Sequence, residues 1–364
     1  MTFDIARAEV IGSMLRPDGL KQARARHAAG ELDAAELKRI EDAAIVEAIA
    51  IQERAGVAVV TDGELRRSTF LGPLTDVVTG VARVEGAVAD WHDEAGAAPR
   101  HQPAVVEKLT PRRSLAIEEY SFARAVATKP VKVTLPSPLM LALTWSPEHS
   151  GVVYDDPFDC FADAAAIIAG EARALVELGC RYIQIDAPEL ATLVDPAQRQ
   201  YYESVGVPPQ RMLTEGVELL NEMVAGIDAQ RGIHLCRGNN AGKWMSEGGY
   251  DEISKQVFAR AGNFDVLLLE YDDLDREGGF EPLADVPDEN IVVLGLVSTK
   301  HAELEPADEL LAKIRDAGRF HPVEQMALST QCGFASVLEG NPVPWDSQEA
   351  KLRLVAEVAE RVWG

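Results

Sequence analysis

The chain has 364 residues, 47% of them hydrophobic and 26% charged, so it can bury a substantial core. Its 35 Lys and Arg against 59 Asp and Glu leave a net charge of −24, which disfavours nucleic-acid backbones and anionic lipid as partners. No basic stretch leads into an apolar run at the N-terminus, no apolar span is long enough for a membrane, and four scattered cysteines make no disulfide framework; the reading is a cytoplasmic protein with reduced thiols.

In chain order, short β-branched runs alternate with long amphipathic segments. Strands are predicted at Glu9–Gly12, Ala58–Asp62, Val131–Leu135, Tyr182–Asp186, Gly232–Cys236, Val266–Glu270, Ile291–Val297 and Met326–Ser329. Between them, one helix starts after Asp33 and stops at Gly56, another follows Asp156-Pro157 and stops at Gly179, and a third has Pro306 in its first turn and Gly318 past its end. Eight β-α alternations without a Gly-x-Gly-x-x-Gly after the first strand favour an α/β fold of the (β/α)8 TIM-barrel type over a doubly wound sheet. The chain is expected to be a single domain. Residues 65–129 break the rhythm: they hold Trp91–Gly96, an extra strand at Ala104–Leu109 and a helix around Leu115–Ala127, and read as an elaborated rim segment over the barrel or a plain surface insertion.

Working residues of such a barrel stand where strands end. The two-residue period turns His234 and Cys236 to one side of their strand, Glu270 ends a very apolar strand, and Cys332 follows the last one. One nitrogen, one oxygen and two sulfur donors suit Zn²⁺ better than Mg²⁺ or Ca²⁺. Taken singly, each has an ordinary account as a core thiol or a hydrogen-bonded imidazole; Cys160 and Cys180 are read that way, as packing residues.

These residues, with Ile11-Gly12-Ser13, Asp62-Gly63-Glu64, Ile183-Gln184-Ile185-Asp186-x-Pro188 and Cys332-Gly333, resemble the cobalamin-independent methionine synthase family, in its C-terminal catalytic barrel. The resemblance runs from the first strand to the last. It implies that His234, Cys236, Glu270 and Cys332 bind the zinc and that Ser13, Glu64 and Asp186 hold an amino-acid thiol, with Asp186 facing its ammonium. A metal carrying two thiolates is a poor hydrolytic Lewis acid but still draws the proton from a bound thiol, so the expected reaction is methyl or alkyl transfer, from methyl-folate or another methyl donor, to a small-molecule thiol such as homocysteine.

The segment Leu135–Met140 with Trp145 resembles the family's folate-facing stretch, and the indole of Trp145 either stacks on a planar donor or is a core residue. Glu64 is a catalytic candidate. So are Lys300 and His301, which stand where the methionine-forming enzymes use an acid and a His for proton handling. Arg66 and Arg67 suit an anionic substrate or a solvated basic turn. These departures keep a second reading open, epoxide opening by a zinc-held coenzyme M thiolate, with Lys300 and Arg66 or Arg67 on the sulfonate; Asp186 argues against it. A third is a metal-free barrel of the uroporphyrinogen decarboxylase type, or a non-catalytic binding protein. A homo-oligomer is allowed by the composition and not required by it.

Overall fold

The computed structural model describes residues 5–93 and 96–364, with the side chains of residue 83 and residues 85–102 left aside. Residues 94 and 95, inside the predicted Trp91–Gly96 stretch, lie outside the described residues. The helix ends follow the predicted chemistry. Asp33 accepts a hydrogen bond from the Glu36 amide at the start of helix Ala34–Ala55, and Gly56 ends it with φ +93°. Asp156 caps helix Pro157–Glu177 through the Phe158 amide. Pro306 is the residue before helix Ala307–Ala317 rather than part of its first turn.

The sheet contains β1 (Ala8–Glu9), β4 (Val133–Pro136), β5 (Tyr182–Asp186), β6 (Gln230–Leu235), β7 (Val266–Glu270), β8 (Ile291–Val297) and β9 (Met326–Thr330). They lie in the order β1-β9-β8-β7-β6-β5-β4, with every neighbour parallel. This is a parallel α/β sheet of seven ladder strands, curled so that both edges reach one segment, residues 58–62. The predicted second strand, Ala58–Asp62, makes only single parallel bridges, Glu9 with Val59 and Val60 with Val131. The expected count of eight strands is corrected to that extent. The physical reason is shortness: the chain leaves β1 at once for Ile11-Gly12-Ser13, so its neighbour has almost no ladder to join. Beside this junction Lys132 forms a buried ion pair with Glu9, and the Tyr182 hydroxyl donates to Glu9 at 3.3 Å.

Period-two alternation sorts the core. Along β7, Leu267 and Leu269 pack into the main apolar cluster, which includes buried residues of helix Pro157–Glu177, while Val266 and Leu268 join Ile11, Val59, Ile291 and Val293 in a separate cluster. Glu270 continues the Val266–Leu268 phase, and His234 stands opposite Leu268 in register. The rim segment is more ordered than the sequence suggested. It holds an antiparallel hairpin of β2 (Val78–Asp93) and β3 (Gly96–Pro111), which contains the predicted Ala104–Leu109, followed by helix Leu115–Val126. No helix of the described residues is long and apolar enough to cross a membrane.

Candidate active site

A cavity with roughly 940 Å³ of empty space, part of it open to solvent, collects residues from the strand ends and the loops beyond them. Ser13, Glu64, Asp186, His234, Cys236 and Cys332 all line it. His234 is the penultimate residue of β6, Cys236 follows its end, and Cys332 lies two residues past β9. One ligand atom from each of these three lies within 4.8 Å of the others.

The surroundings prepare this trio for a cation. His234 Nδ1 lies 3.2 Å from the Leu268 carbonyl, and Nε2 is buried with no hydrogen-bond partner. A donor bond at Nδ1 leaves Nε2 as the lone-pair nitrogen, the arrangement usual for metal-ligating imidazoles. The two thiols are shifted in opposite directions. The hydrogen bond to Cys332, with burial, pushes Cys236 well above the usual thiol range; the same bond, with His234 beside it, holds Cys332 well below that range despite burial. Burial works against the charged imidazole, but Cys332 and the nearby acids raise His234 overall. One imidazole nitrogen and two thiol sulfurs, one of them favoured as the thiolate, are a donor set that fits Zn²⁺.

Glu270 does not complete that group directly. Its Oε1 accepts from Lys300 at 2.6 Å and its Oε2 from the Arg237 amide at 2.6 Å, and it clusters with Asp272 and Glu277 instead. The field of Glu270 still reaches Cys236, Cys332 and His234.

Ser13 and Glu64 are held by close contacts. Ser13 Oγ accepts from the Ala335 amide at 3.2 Å, and a Cβ on Gly333 would meet that Oγ at 2.0 Å. A Cβ on Gly12 would meet Glu64 Oε1 at 2.4 Å and one on Gly333 the Ser13 backbone nitrogen at 2.9 Å, so a side chain at either position needs its neighbours to move. Glu64 sits at φ +56°, an unusual conformation for a residue with a side chain. The turn is fixed by Asp62, whose carboxylate accepts from the Glu64 amide at 2.9 Å, and by buried Arg16, which donates to the Glu64 carbonyl at 2.9 Å. Glu64 Oε1 accepts from Thr134 at 2.8 Å, and Oε2 has no partner. Asp186 accepts from Gln184 at 2.6 Å and is pushed up to about 7, chiefly by burial.

Five other predicted residues lie elsewhere. Arg66 pairs with Asp42 at 2.5 Å and with Glu41, and stacks over Phe122. Arg67 makes a buried two-pronged pair with Glu119 and donates to Thr134. Both guanidiniums are thus held by acids of the chain, Arg67 also lying 3.8 Å from Glu64 Oε1, and the expectation that they bind an anionic substrate is corrected. Trp145 is 6% exposed and sits in the main core outside the cavity lining, because the 3-10 turn Pro138–Thr144 carries it there; the stacking role falls to its core alternative. Lys300 is locked between Glu270 and Asp272, and His301 is exposed, so neither lines the cavity that was to use them for protons.

The cavity also holds residues that sequence reasoning passed over as site members: Glu189, Thr192, Tyr202 and Asn239. The signal for Glu189 was its place three residues after Asp186, on the helical turn Pro188–Ala191 that continues from the strand end.

A model of the cobalamin-independent synthase catalytic domain matches residues 7–361. The YxjH protein of Bacillus subtilis is 34% identical over 362 residues, covering 98% of this chain and 94% of its own. A methionine synthase of Saccharolobus solfataricus is 28% identical over 329 residues, covering 89% and 86%. Among solved structures, a candidate vitamin-B12 independent methionine synthase from Listeria monocytogenes superimposes with a TM-score of 0.72 at 26% identity, covering 98% of both chains. The match over residues 7–361 and this coverage agree: the chain belongs to the cobalamin-independent synthase family and spans its catalytic domain.

Proposed function

We propose that the protein is a zinc-dependent thiol methyltransferase of the methionine synthase type, acting on an amino-acid thiol of the homocysteine class. On this reading it is a single (β/α)8 domain in which residues 58–62 serve as the second strand and residues 65–129 elaborate the rim. The observation that carries the proposal is that His234, Cys236 and Cys332 meet within 4.8 Å in the same cavity that Ser13, Glu64 and Asp186 line.

His234, Cys236 and Cys332 would hold the zinc, with Glu270 the fourth candidate donor from the end of β7. Bound there, Zn²⁺ supplies the Lewis acidity that ionises a thiol whose free pKa, near 8.5, leaves it only a few per cent reactive at pH 7. The chain's own residues do the rest. Asp186, neutral or ionised near pH 7, meets the substrate ammonium and becomes fully charged when paired with it. Glu64 and Ser13 fix the backbone end of the amino acid, and Met140, Leu143, Phe70 and Val337 wall the reacting sulfur from water. Holding the sulfur in line with the incoming methyl carbon is positional work, for which close-packed Gly12 and Gly333 leave room.

Calorimetry on zinc-loaded protein tests this reading. Homocysteine is expected to bind and to release a proton, with coenzyme M about 100-fold weaker because no free cation meets its sulfonate. Coenzyme M binding as tightly as homocysteine would contradict it, as would wild-type protein that takes up no more zinc than Cys332→Ala.

A further inference from the structure

Glu64 is held from two sides. Its backbone, at φ +56°, is fixed by the Asp62 carboxylate and by Arg16. Its side chain is fixed from β4, where buried Thr134 donates its hydroxyl proton to Oε1 at 2.8 Å. A hydroxyl has a single proton to give, and its other partner decides where that proton goes. Here the other partner is Arg67, whose Nη1 donates to the Thr134 hydroxyl oxygen at 3.0 Å. A guanidinium never accepts, so the Thr134 proton is left for the carboxylate.

Behind Arg67 stands Glu119, on helix Leu115–Val126 of the rim segment. Its carboxylate accepts from Arg67 Nε at 3.0 Å and from Nη2 at 2.8 Å, and Nη2 also donates to the Thr134 carbonyl at 2.8 Å. Two parallel bonds fix the plane of the guanidinium as well as its place. Arg67 and Glu64 are 3.8 Å apart, beyond a hydrogen bond, so the bonded path from one to the other runs through Thr134. Oε1 is thereby committed. Oε2, buried without a partner, is the acceptor left for a ligand in the cavity that Glu64 lines.

We infer that Thr134, with Arg67 and Glu119 behind it, is a positioning group that presents Glu64 Oε2 to the ammonium of the substrate and so sets the preference for an amino-acid thiol over a plain mercapto acid. The inference rests on the amino-acid thiol reading and deepens it. Thr134, Arg67 and Glu119 lie outside the cavity lining and act only through Glu64. An ion pair serving stability alone needs Arg67 and Glu119; the hydroxyl link to a cavity acid adds an orientation that stability does not require. A carboxylate already fixed in one rotamer meets an N–H donor without losing side-chain freedom on binding, which is where the gain in affinity arises. Through Glu119 the rim segment takes part in substrate selection.

The test compares homocysteine with 4-mercaptobutanoate, which keeps the thiol and the carboxylate and lacks the ammonium, by calorimetry on the zinc-loaded protein. Wild type should favour homocysteine by about 100-fold. Thr134→Val keeps nearly the same shape and loses the hydroxyl; it should cut that ratio about tenfold, with zinc content and 4-mercaptobutanoate affinity within about twofold of wild type. Thr134→Ser keeps the hydroxyl and should hold the ratio within about twofold of wild type, and Glu119→Gln should lower it about threefold. In a Glu64→Gln background, Thr134→Val should change the ratio by less than about twofold, because its effect travels through Glu64. An unchanged ratio in Thr134→Val overturns the inference, as does equal weakening of both thiols, which is what a purely structural residue would give. Should Thr134→Val not fold, Glu119→Gln decides, and an unchanged ratio there overturns the inference. Wild type that binds the two thiols equally, or neither, removes the amino-acid thiol reading and this inference with it; a wild-type preference that survives the variants removes the positioning role alone.

Discussion

Two trios of buried acids in this protein have opposite surroundings. Glu270, Asp272 and Glu277 form a closed network: Lys300 and the Arg237 amide take the two oxygens of Glu270, Lys300 and Arg276 reach Asp272, and Arg276 and the Asp273 amide take those of Glu277. Glu64, Asp186 and Glu189 face the cavity, and Glu64 Oε2 and Glu189 Oε2 have no partner. The first arrangement fixes loops behind the strand ends, since the oxygens of Glu270 and Glu277 all have partners within the chain, although burial and the neighbouring acids push Glu277 well above the usual carboxylate range. The second leaves acceptors for a ligand to satisfy. Burial alone therefore does not mark a functional acid here, nor does an unmatched oxygen, which Asp62 also has; Glu64 and Glu189 combine the unmatched oxygen with a place in the cavity lining.

The contrast can be broken by substitution. Lys300→Met strands two acids in the closed network and should cost about 3–5 kcal/mol of stability, read as a lowered urea midpoint. A loss under about 1 kcal/mol would show that the network is slack and the distinction wrong. Asp186→Asn, on the cavity side, should do the reverse: homocysteine binding weakens by about 10- to 100-fold while the melting temperature moves by only a degree or two.

Glu189→Gln gives the smallest effect and the sharpest sign. The folded carboxyl is raised from 4.5 to about 8, so its contribution to stability is complete below about pH 4.5 and is lost as pH rises through about 8. The variant, which cannot ionise, should match wild type near pH 4.5 and melt a few degrees higher at pH 8.5, by scanning fluorimetry. A difference independent of pH would place the ionisation elsewhere.

Much of this was legible in the sequence, because local signals carried it. Side-chain caps at Asp33 and Asp156 and the αL glycine Gly56 fixed helix ends, and strand alternation placed His234 and Cys236 together. What stayed hidden depends on partners far along the chain. Arg67 reads as a surface cation until Glu119, 52 residues later, is seen bonded to it. Lys300 reads as a proton donor until Glu270 and Asp272 claim it. Trp145 is apolar enough for either a core or a ligand, and only the path of Pro138–Thr144 decides between them. The same limit hid the reduction of Ala58–Asp62 to single bridges, since its apolar pattern says nothing of how little β1 offers to pair with.

The most direct measurement of the central claim is anomalous diffraction at the zinc absorption edge from crystals of protein purified with zinc. The account predicts one strong peak within bonding distance of His234 Nε2, Cys236 Sγ and Cys332 Sγ. A peak among Glu270, Asp272 and Glu277 instead, or none at full zinc loading, would contradict it.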